Sequence, residues 1–215
     1  MTSRLSAPPD AAAKRSAPAA QRNREPILEA LRPRLPGPRA AGAAPLVLEV
    51  ASGTGEHAVY LCAALPGVRW QPTDQEEAAL ASIAAWRAEA GLPNLLPPLR
   101  LDVTEEPWPL SAAEALFCAN MIHISPWAAS VALFAGAGRL LPRGGALFTY
   151  GPYRFGGAFT APSNAAFDES LRQRDARWGV RDVDSLRELA AAHALTLEET
   201  LAMPANNHLL VFRKG

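Results

Sequence analysis

The chain has 215 residues, and its 21 Lys and Arg balance 21 Asp and Glu, so the formal net charge at pH 7 is zero. This neutrality offers no electrostatic footprint for nucleic acid or an anionic membrane, so we expect a small-molecule partner. The chain is 49% hydrophobic and long enough for one α/β domain, and it has neither an apolar run of about 18 residues nor the hydrophobic core of a signal peptide.

The first 20 residues are rich in Ala, Pro and Ser and poor in large apolar side chains, which predicts a disordered tail over residues 1–20. Residues 21–215 are predicted to form a single domain. Apolar residues share one helical face from Arg22 onward, and Pro26 suits the first turn of that helix. Asn23 and Arg24 lie at its start, where they are either solvated or in contact with a ligand.

A β-branched apolar run at residues 46–50 predicts a buried strand, and it breaks into a turn with Gly53 and Gly55 before a helix. The glycines permit a sharp turn and the close approach of a ligand to the main chain, although a tight turn without a ligand is the alternative. Glu49 stands inside the strand, and a buried carboxylate requires a hydrogen-bond partner. The turn lacks the Lys-Ser or Lys-Thr of a phosphate loop and the third glycine of a dinucleotide site. Glu56 would also repel a pyrophosphate, so a zwitterionic or cationic ligand fits better.

Acidic residues stand at or near the ends of the next two predicted strands. Asp74 ends a strand over residues 68–74, about 20 residues past the glycines, where an acid in a doubly wound sheet reaches ribose hydroxyls. Its alternative role is the N-cap of a helix that ends near Gly91. Asp102 lies near the end of a strand over residues 99–103, and its alternative role is to cap the turn that follows.

The fourth predicted strand begins at Ala115 and runs into a loop with Asn120, Met121 and His123. Residues at the carboxyl end of this strand would face the reactive centre of a crevice. His123 is therefore a candidate general base, and a structural histidine that caps the loop is the alternative. Cys118 in this strand and Cys62 in the helix after the glycine turn have apolar surroundings, which predicts buried, reduced thiols and a cytoplasmic location.

The remaining elements are a helix over residues 131–141, a fifth strand over 146–150, a helix ending near Ala194 and a closing hairpin of residues 196–203 and 208–213. The long stretch 151–180 between strand and helix is predicted to form a substrate lid. It combines several aromatic residues, Tyr153 among them, with Gly156-Gly157 as a possible hinge. An ordinary packed excursion is the alternative.

Six segments carry a family resemblance when they are taken together. They are Arg22-Asn-Arg-Glu-Pro, Glu49-Val-Ala-Ser-Gly-Thr-Gly-Glu-His, Gln71-Pro-Thr-Asp, Asn120-Met-Ile-His-Ile-Ser-Pro-Trp, Ala161-Pro-Ser-Asn-Ala-Ala-Phe and Met203-Pro-Ala-Asn-Asn. This set resembles the methyltransferase-like protein 26 family, which belongs to the class I S-adenosylmethionine (SAM)-dependent methyltransferases. The resemblance covers roughly residue 17 to the end. Ala51 departs from the pattern, because the first motif of these enzymes usually has a glycine there.

The resemblance implies a Rossmann-like α/β fold, with a seven-stranded, mostly parallel, doubly wound sheet and an antiparallel last strand. It also implies SAM as the cofactor and a small-molecule methyl acceptor as the partner. The cofactor-binding residues that it implies are Asn23, Arg24, Glu49, Ala51, Gly53, Gly55, His57, Asp74, Asp102, Val103, Asn120 and Met121. The candidate catalytic residues are His123, Asn120 and Tyr153. We predict no metal site.

The sequence pattern is compatible with oxygen, nitrogen or sulfur as the acceptor atom, and it does not specify an oligomeric state. A protein that binds SAM or its demethylated product as a sensor or assembly partner is the alternative from another functional class. An NAD-dependent dehydrogenase is disfavoured by the missing third glycine and by Asp102.

Overall fold

A computed structural model describes residues 10–37 and 44–215 of the chain. Its α-helices are α1 (Pro18–Leu31), α2 (Glu56–Ala64), α3 (Glu77–Ala90), α4 (Trp127–Leu140), α5 (Pro162–Arg174) and α6 (Val183–Ala191). Its β-strands are β1 (Leu46–Val50), β2 (Arg69–Asp74), β3 (Leu99–Arg100), β4 (Ala115–Ala119), β5 (Ala146–Gly151), β6 (Arg154–Phe155), β7 (Ala158–Phe159), β8 (Leu195–Met203) and β9 (Asn207–Lys214).

Seven of these strands form one sheet in the order β3-β2-β1-β4-β5-β9-β8, and β6 pairs with β7 in a separate hairpin. Strands β1 to β5 pair with one another in parallel, whereas β9 is antiparallel to both β5 and β8. The predicted doubly wound sheet with an antiparallel last strand is therefore confirmed. The strand order reverses between β1 and β4, and in such sheets ligands bind at the carboxyl ends of the strands beside this point.

Side chains of β1 alternate between two buried apolar layers, as the two-residue period of a strand requires. Val47 packs with Ile27 of α1 and Leu61 of α2 on one face of the sheet. Leu48 packs with Leu133 of α4 and with residues of α6 on the other face. Helices therefore cover both faces, which explains why the parallel strands have continuous apolar runs rather than alternating ones.

The structure corrects the prediction of a disordered tail for residues 10–20. The Arg15 amide donates a hydrogen bond to Ser82 Oγ over 2.8 Å, and the Ala17 amide donates to Glu56 Oε2 over 2.6 Å. These partners lie on α3 and α2, so this segment is ordered by contacts with distant helices. Its composition alone does not reveal those contacts, which offset the entropy cost of ordering a chain poor in large apolar groups.

The first helix also begins earlier than predicted. Helix α1 starts at Pro18, a residue well suited to a first turn, and Pro26 lies inside the helix instead. The predicted tail over residues 1–9 lies outside the described residues.

Helix α3 ends next to Gly91, as predicted. Several other elements differ from their predicted bounds. Strand β3 has only two residues, so Asp102 lies in the turn beyond it. Helix α4 begins at Trp127 rather than at residue 131, and α5 lies over Pro162–Arg174 within the predicted lid. Among residues 10–37 and 44–215, no helix is long and apolar enough to span a bilayer.

Candidate functional site

A cavity of about 510 Å³ lies at the carboxyl ends of β1, β2 and β4, and we call it the main cavity. Its lining residues are Val50, Ala51, Gly53, Asp74, Gln75, Glu76, Leu101, Asp102, Val103, Thr104, Ala119, Met121, Ile124, Ser125, Pro126, Ala129, Asp175, Arg177 and Trp178. Its volume is within the range of small-molecule and cofactor sites. The main cavity therefore occupies the position at which a doubly wound sheet binds its ligand.

The turn after β1 is tied to the end of β2 by a carboxylate. Gly53 has a φ of +58°, and its amide donates a hydrogen bond to Asp74 Oδ2 over 2.9 Å. Asp74 Oδ1 accepts from the Glu76 amide over 3.0 Å, just before α3. Asp74 thus supports the helix start and also lines the main cavity. An ionised carboxylate has about four acceptor positions, so two backbone bonds leave Asp74 able to accept hydrogen bonds from a ligand.

Asp102 caps a turn and also lines the main cavity. Its Oδ1 accepts hydrogen bonds from the Thr104 amide over 2.9 Å and from Thr104 Oγ1 over 2.7 Å, so it caps the turn after β3. Asp102 lines the main cavity together with Val103, which is largely buried. The structure therefore brings Asp74, Asp102 and Gly53 together at one cavity.

Ala51 lines the main cavity with its backbone in the left-handed region, at a φ of +57°. An alanine there is strained, which gives a physical reason for the glycine that related motifs usually have.

Gly55 lies where α2 packs against α3. It precedes α2 with a φ of +89°, and a Cβ added to it would lie 2.9 Å from the Ile83 Cα of α3. Glycine is therefore required for α2 and α3 to approach each other. Gly55 does not line the main cavity.

Three more of the predicted cofactor-binding residues lie where α1 meets α2, outside the lining of the main cavity. The His57 Nε2 atom is 2.7 Å from Asn23 Oδ1, and burial lowers the pKa of His57 to about 4. The Arg24 guanidinium lies 4.6 Å from the Tyr60 ring centroid. These contacts join the two helices behind the glycine turn.

Glu49 is buried behind the same turn and does not line the main cavity. Its required partner is Trp70, whose Nε1 donates a hydrogen bond to Glu49 Oε2 over 2.9 Å. Burial raises the pKa of Glu49 to about 7, against the opposing effect of that hydrogen bond. The Glu49 carbonyl accepts a hydrogen bond from Thr73 Oγ1 over 2.7 Å, which joins β1 to β2 just before the turn.

His123 does not have the geometry of a general base. Its side chain is completely buried, and it is absent from the lining of the main cavity. Its Nδ1 atom accepts a hydrogen bond from the Arg181 amide over 3.3 Å, and Nε2 is buried without a partner in the described part of the chain. Burial lowers the pKa of His123 to about 3, and the nearby charge of Arg181 lowers it further. The structure therefore favours the structural alternative for this residue.

The other candidate catalytic residues surround His123. The Tyr153 ring contacts the His123 ring at a centroid distance of 5.0 Å, and Tyr153 Oη donates a hydrogen bond to Thr149 Oγ1 over 2.8 Å. Tyr153 is fully buried, so it does not face the main cavity. Asn120 has a φ of +62° in the turn after β4 and is also absent from the lining. Met121, in the same loop after β4, does line the main cavity.

The residues that close the main cavity from the far side were not predicted from the sequence. Asp175, Arg177 and Trp178 line it, and they follow α5 within the predicted lid, where an Asp-x-Arg-Trp segment was the available signal. Hydrogen bonds from Arg177 lower the pKa of Asp175 to about 2, so Asp175 is ionised at neutral pH. The segment 122–127 contributes a further wall through Ile124, whose side chain is 40% exposed.

The main cavity therefore combines carboxylates, open backbone at Gly53 and apolar walls. This arrangement can bind a ligand with hydroxyl, amino and apolar parts. Among the described residues, no group of three or more His, Cys, Asp or Glu side chains is placed to hold a metal ion.

The fold is similar to those of several solved methyltransferase structures. An O-methyltransferase family 2 protein from Planctomyces limnophilus DSM 3776, in complex with apigenin, aligns with a TM-score of 0.71 and 21% identity over 89% of this chain and 62% of that one. An O-methyltransferase family protein from Burkholderia thailandensis aligns with a TM-score of 0.74 and 14% identity over 92% and 57%. Human N-acetylserotonin methyltransferase, in complex with SAM, aligns with a TM-score of 0.67 and 15% identity over 92% and 53%.

The chain spans less than two thirds of the length of each of these three proteins. At these identities the likeness shows a shared Rossmann-like methyltransferase fold. A family model matches residues 14–214, and the chain belongs to that family, which is described as "Protein of unknown function (DUF938)".

Proposed function

We propose that the chain is a SAM-dependent methyltransferase that acts on a small-molecule acceptor. The observation that carries this proposal is the meeting of Asp74, Asp102 and the Gly53 turn at one cavity, at the point where the strand order reverses. The human neighbour with this fold was solved with SAM, which supports the same cofactor here. The six sequence segments further support kinship with the methyltransferase-like protein 26 family, and the free, buried Cys62 and Cys118 support a cytoplasmic location.

The residues of the main cavity fit this cofactor. Asp74 has acceptor positions left for ribose hydroxyls, and Asp102 with Val103 would hold the adenine ring and its amino group. A Cβ at Gly53 would meet no atom within 4 Å, so the backbone there is open to a ligand. Gly53 and Ala51 would therefore lie along the methionine part, where a bulkier side chain would intrude.

SAM supplies an activated methyl group when it is bound, so the work of the chain is to position the acceptor. Met121, Ile124 and Trp178 form apolar parts of the cavity wall that would hold the acceptor against the methyl group and exclude water. Holding a nucleophile about 3 to 3.5 Å from the reacting carbon supplies a large part of such a rate acceleration. The sequence segment 151–180 would act as a lid, with residues 175–178 as the part that contacts the acceptor.

His123 does not enter this mechanism as a base, because its ring is buried behind the wall. The acceptor would then bind in a form that is already nucleophilic or lose its proton to water or to a carboxylate of the main cavity. Whether the acceptor atom is oxygen, nitrogen or sulfur does not alter the positioning role of the wall.

The burial of His123 and Tyr153 also favours a second candidate function, in which the chain binds SAM or its demethylated product without catalysis. A sensor of this kind needs the same cofactor contacts and no proton acceptor. The two candidates differ in whether the demethylated product accumulates over time.

The test measures binding and turnover separately. Calorimetry of the purified chain should show saturable binding of SAM and of S-adenosylhomocysteine. Incubation with SAM and small-molecule cell extract should then produce S-adenosylhomocysteine, and boiled protein is the control. Binding without product would favour the sensor, and the absence of saturable binding would overturn both candidates.

A further inference from the structure

A second cavity, of about 130 Å³, lies on the other side of the 122–127 segment and shares no lining residue with the main cavity. We call it the arginine pocket, and it is lined by Arg154, Arg172, Arg181, Trp127, Asp182 and Ser185. Guanidinium groups repel one another when they converge, so a pocket that gathers three of them requires an explanation.

Arg154 shows most directly that something is missing from this pocket. Its Nε atom is buried and has no hydrogen-bond partner within the described chain. Its backbone is fixed, because the Arg154 amide donates to the Arg181 carbonyl over 2.9 Å, and its guanidinium lies 5.6 Å from the Phe159 ring centroid. A buried donor that lacks a partner is costly, and because no other described residue accepts a hydrogen bond from the Arg154 guanidinium, its outer nitrogens can bind a ligand.

The other two arginines are held in place by the protein and keep donors to spare. Arg172 Nε donates to Asp168 Oδ2 over 2.7 Å, and half of its side chain is exposed. Arg181 Nε donates to the Ile122 carbonyl over 2.7 Å, and its Nη2 donates to the carbonyls of Ser125 and Arg177. Burial lowers the pKa of Arg181, and the positive charges of Arg172 and Arg154 lower it further. Each guanidinium has five N–H donors, so the single protein hydrogen bond of Arg172 and the three of Arg181 leave other donors free.

Two carboxylates, Asp168 paired with Arg172 and Asp182 in the lining, leave one of these three cations unbalanced. Asp182 is the single carboxylate among the lining residues, and its two oxygens accept hydrogen bonds from the amides of Gly157 and Asp184 over 2.7 and 2.9 Å. Ser185 adds a hydroxyl donor from the first turn of α6. The pocket is therefore rich in donors and positive in charge.

We propose that the arginine pocket binds a tetrahedral oxyanion, either inorganic phosphate or the phosphoryl group of a small molecule. Its volume equals about four water molecules at roughly 30 Å³ each, which suits one phosphate-sized group. Arginine forks match the oxygens of phosphate and carboxylate groups. The free donors of three guanidinium groups and the Ser185 hydroxyl require more acceptor oxygens than the two of a carboxylate, so a tetrahedral anion fits better. This proposal does not depend on the proposed methyl transfer.

The test titrates inorganic phosphate into the purified full chain at constant ionic strength, with calorimetric detection. Arg154→Gln is the informative variant, because its side chain makes no hydrogen bond that the fold would lose in the described chain. Arg187→Gln is the matched control, since it removes the same charge from an exposed position on α6. We expect saturable binding by the wild type, at least tenfold weaker binding by Arg154→Gln, and a change within twofold for Arg187→Gln.

Thermal unfolding checks that each variant is folded and gives a second readout. Phosphate should raise the Tm of the wild type and of Arg187→Gln, but not that of Arg154→Gln. Arg154→Lys keeps the charge and loses the fork, so it should bind with intermediate affinity and replaces Arg154→Gln if that variant does not fold.

Three results would overturn the proposal: no saturable binding of phosphate to the wild type, an equal loss in both glutamine variants, or acetate binding as tightly as phosphate. A comparison of inorganic phosphate with glycerol phosphate then identifies the source of the anion. Tighter binding of the ester supports the phosphoryl group of a small molecule, and tighter binding of the free ion supports phosphate itself.

Discussion

The carboxylate of Asp74, at the end of β2, accepts a hydrogen bond from the Gly53 amide over 2.9 Å. It also accepts one from the Glu76 amide over 3.0 Å, so one side chain holds the turn after β1 and the approach to α3. Asp74 is nearly buried and still lines the main cavity. A test of its role in ligand binding must therefore separate binding from support of the fold.

Asp74→Asn is the substitution that makes this separation. The amide oxygen can still accept one backbone hydrogen bond, but the negative charge that would attract the ribose hydroxyls is lost. We expect SAM binding to weaken by about 1.5 to 3 kcal/mol, the range for hydrogen bonds to charged groups. Calorimetry measures it, and the exposed acid Glu77, replaced by Gln, is the matched control. Unchanged affinity in a folded Asp74→Asn variant would leave Asp74 as a structural cap only.

The two glycines of the turn should respond differently to alanine. Gly55→Ala forces a Cβ to within 2.9 Å of the Ile83 backbone at a φ of +89°, so we expect a loss of stability of more than about 2 kcal/mol. Gly53→Ala meets open space, so its cost is the left-handed backbone alone, about 1 kcal/mol. Its new methyl group should nevertheless weaken SAM binding. Urea unfolding measures the loss of stability, and calorimetry measures the affinity for SAM. Unchanged SAM affinity in Gly53→Ala would contradict the prediction.

Local sequence signals predicted the sheet and several helices because the forces that fix them are local. Leu46–Val50 is apolar at nearly every position, as a strand covered on both faces requires, and Gly91 ends α3 in the left-handed conformation. The location of Asp74 and Asp102 at one cavity was predictable for a similar reason, because the ends of adjacent parallel strands meet at one edge of the sheet.

The environment of His123 was not predictable from its neighbours in sequence. Its ring is enclosed by Tyr153, by the Arg181 amide and by the backbone of Gly151, where a Cβ would lie 2.5 Å from Nε2. These groups follow His123 by 28 to 58 residues. The order of residues 10–20 was missed for the same physical reason, since their partners Ser82 and Glu56 lie 67 and 39 residues from the atoms that they bind.

Glu49 should make stability depend on pH with a definite sign. Burial raises the folded-state pKa of Glu49 from 4.5 to about 7. Its contribution to the free energy of unfolding is therefore fully present below about pH 4.5 and is lost as the pH rises through 7. Glu49→Gln is neutral at every pH and keeps an acceptor for Trp70. The free energy of unfolding of Glu49→Gln, relative to the wild type, should therefore increase by about 3 kcal/mol between pH 4.5 and 8. Urea unfolding at a series of pH values measures this difference, and a difference independent of pH would contradict it.

The predicted lid is anchored at both ends. Tyr153 is fully buried near its start, and at its end the Gly179 amide donates to the His123 carbonyl over 2.9 Å. Any closure must therefore come from the part between them, of which residues 175–178 line the main cavity. We expect SAM to slow amide exchange in residues 175–178 by about tenfold or more, and to leave β5 unchanged as an internal control. Strong and equal protection of residues 175–178 in both states would rule out the lid and assign acceptor choice to fixed walls.

His123 should matter for stability and not for proton transfer. Its buried ring fills space beside Tyr153, so His123→Ala should cost about 2 to 4 kcal/mol in stability, as other large-to-small core substitutions do. Its pKa of about 3 keeps the ring neutral at pH 7, and the ring does not reach the main cavity. S-adenosylhomocysteine formation in extract by the folded variant should therefore fall less than tenfold, whereas loss of a general base typically costs about a hundredfold or more. A hundredfold loss at unchanged Tm would restore the catalytic role, because the ring would then have to reach the acceptor in a conformation other than this one.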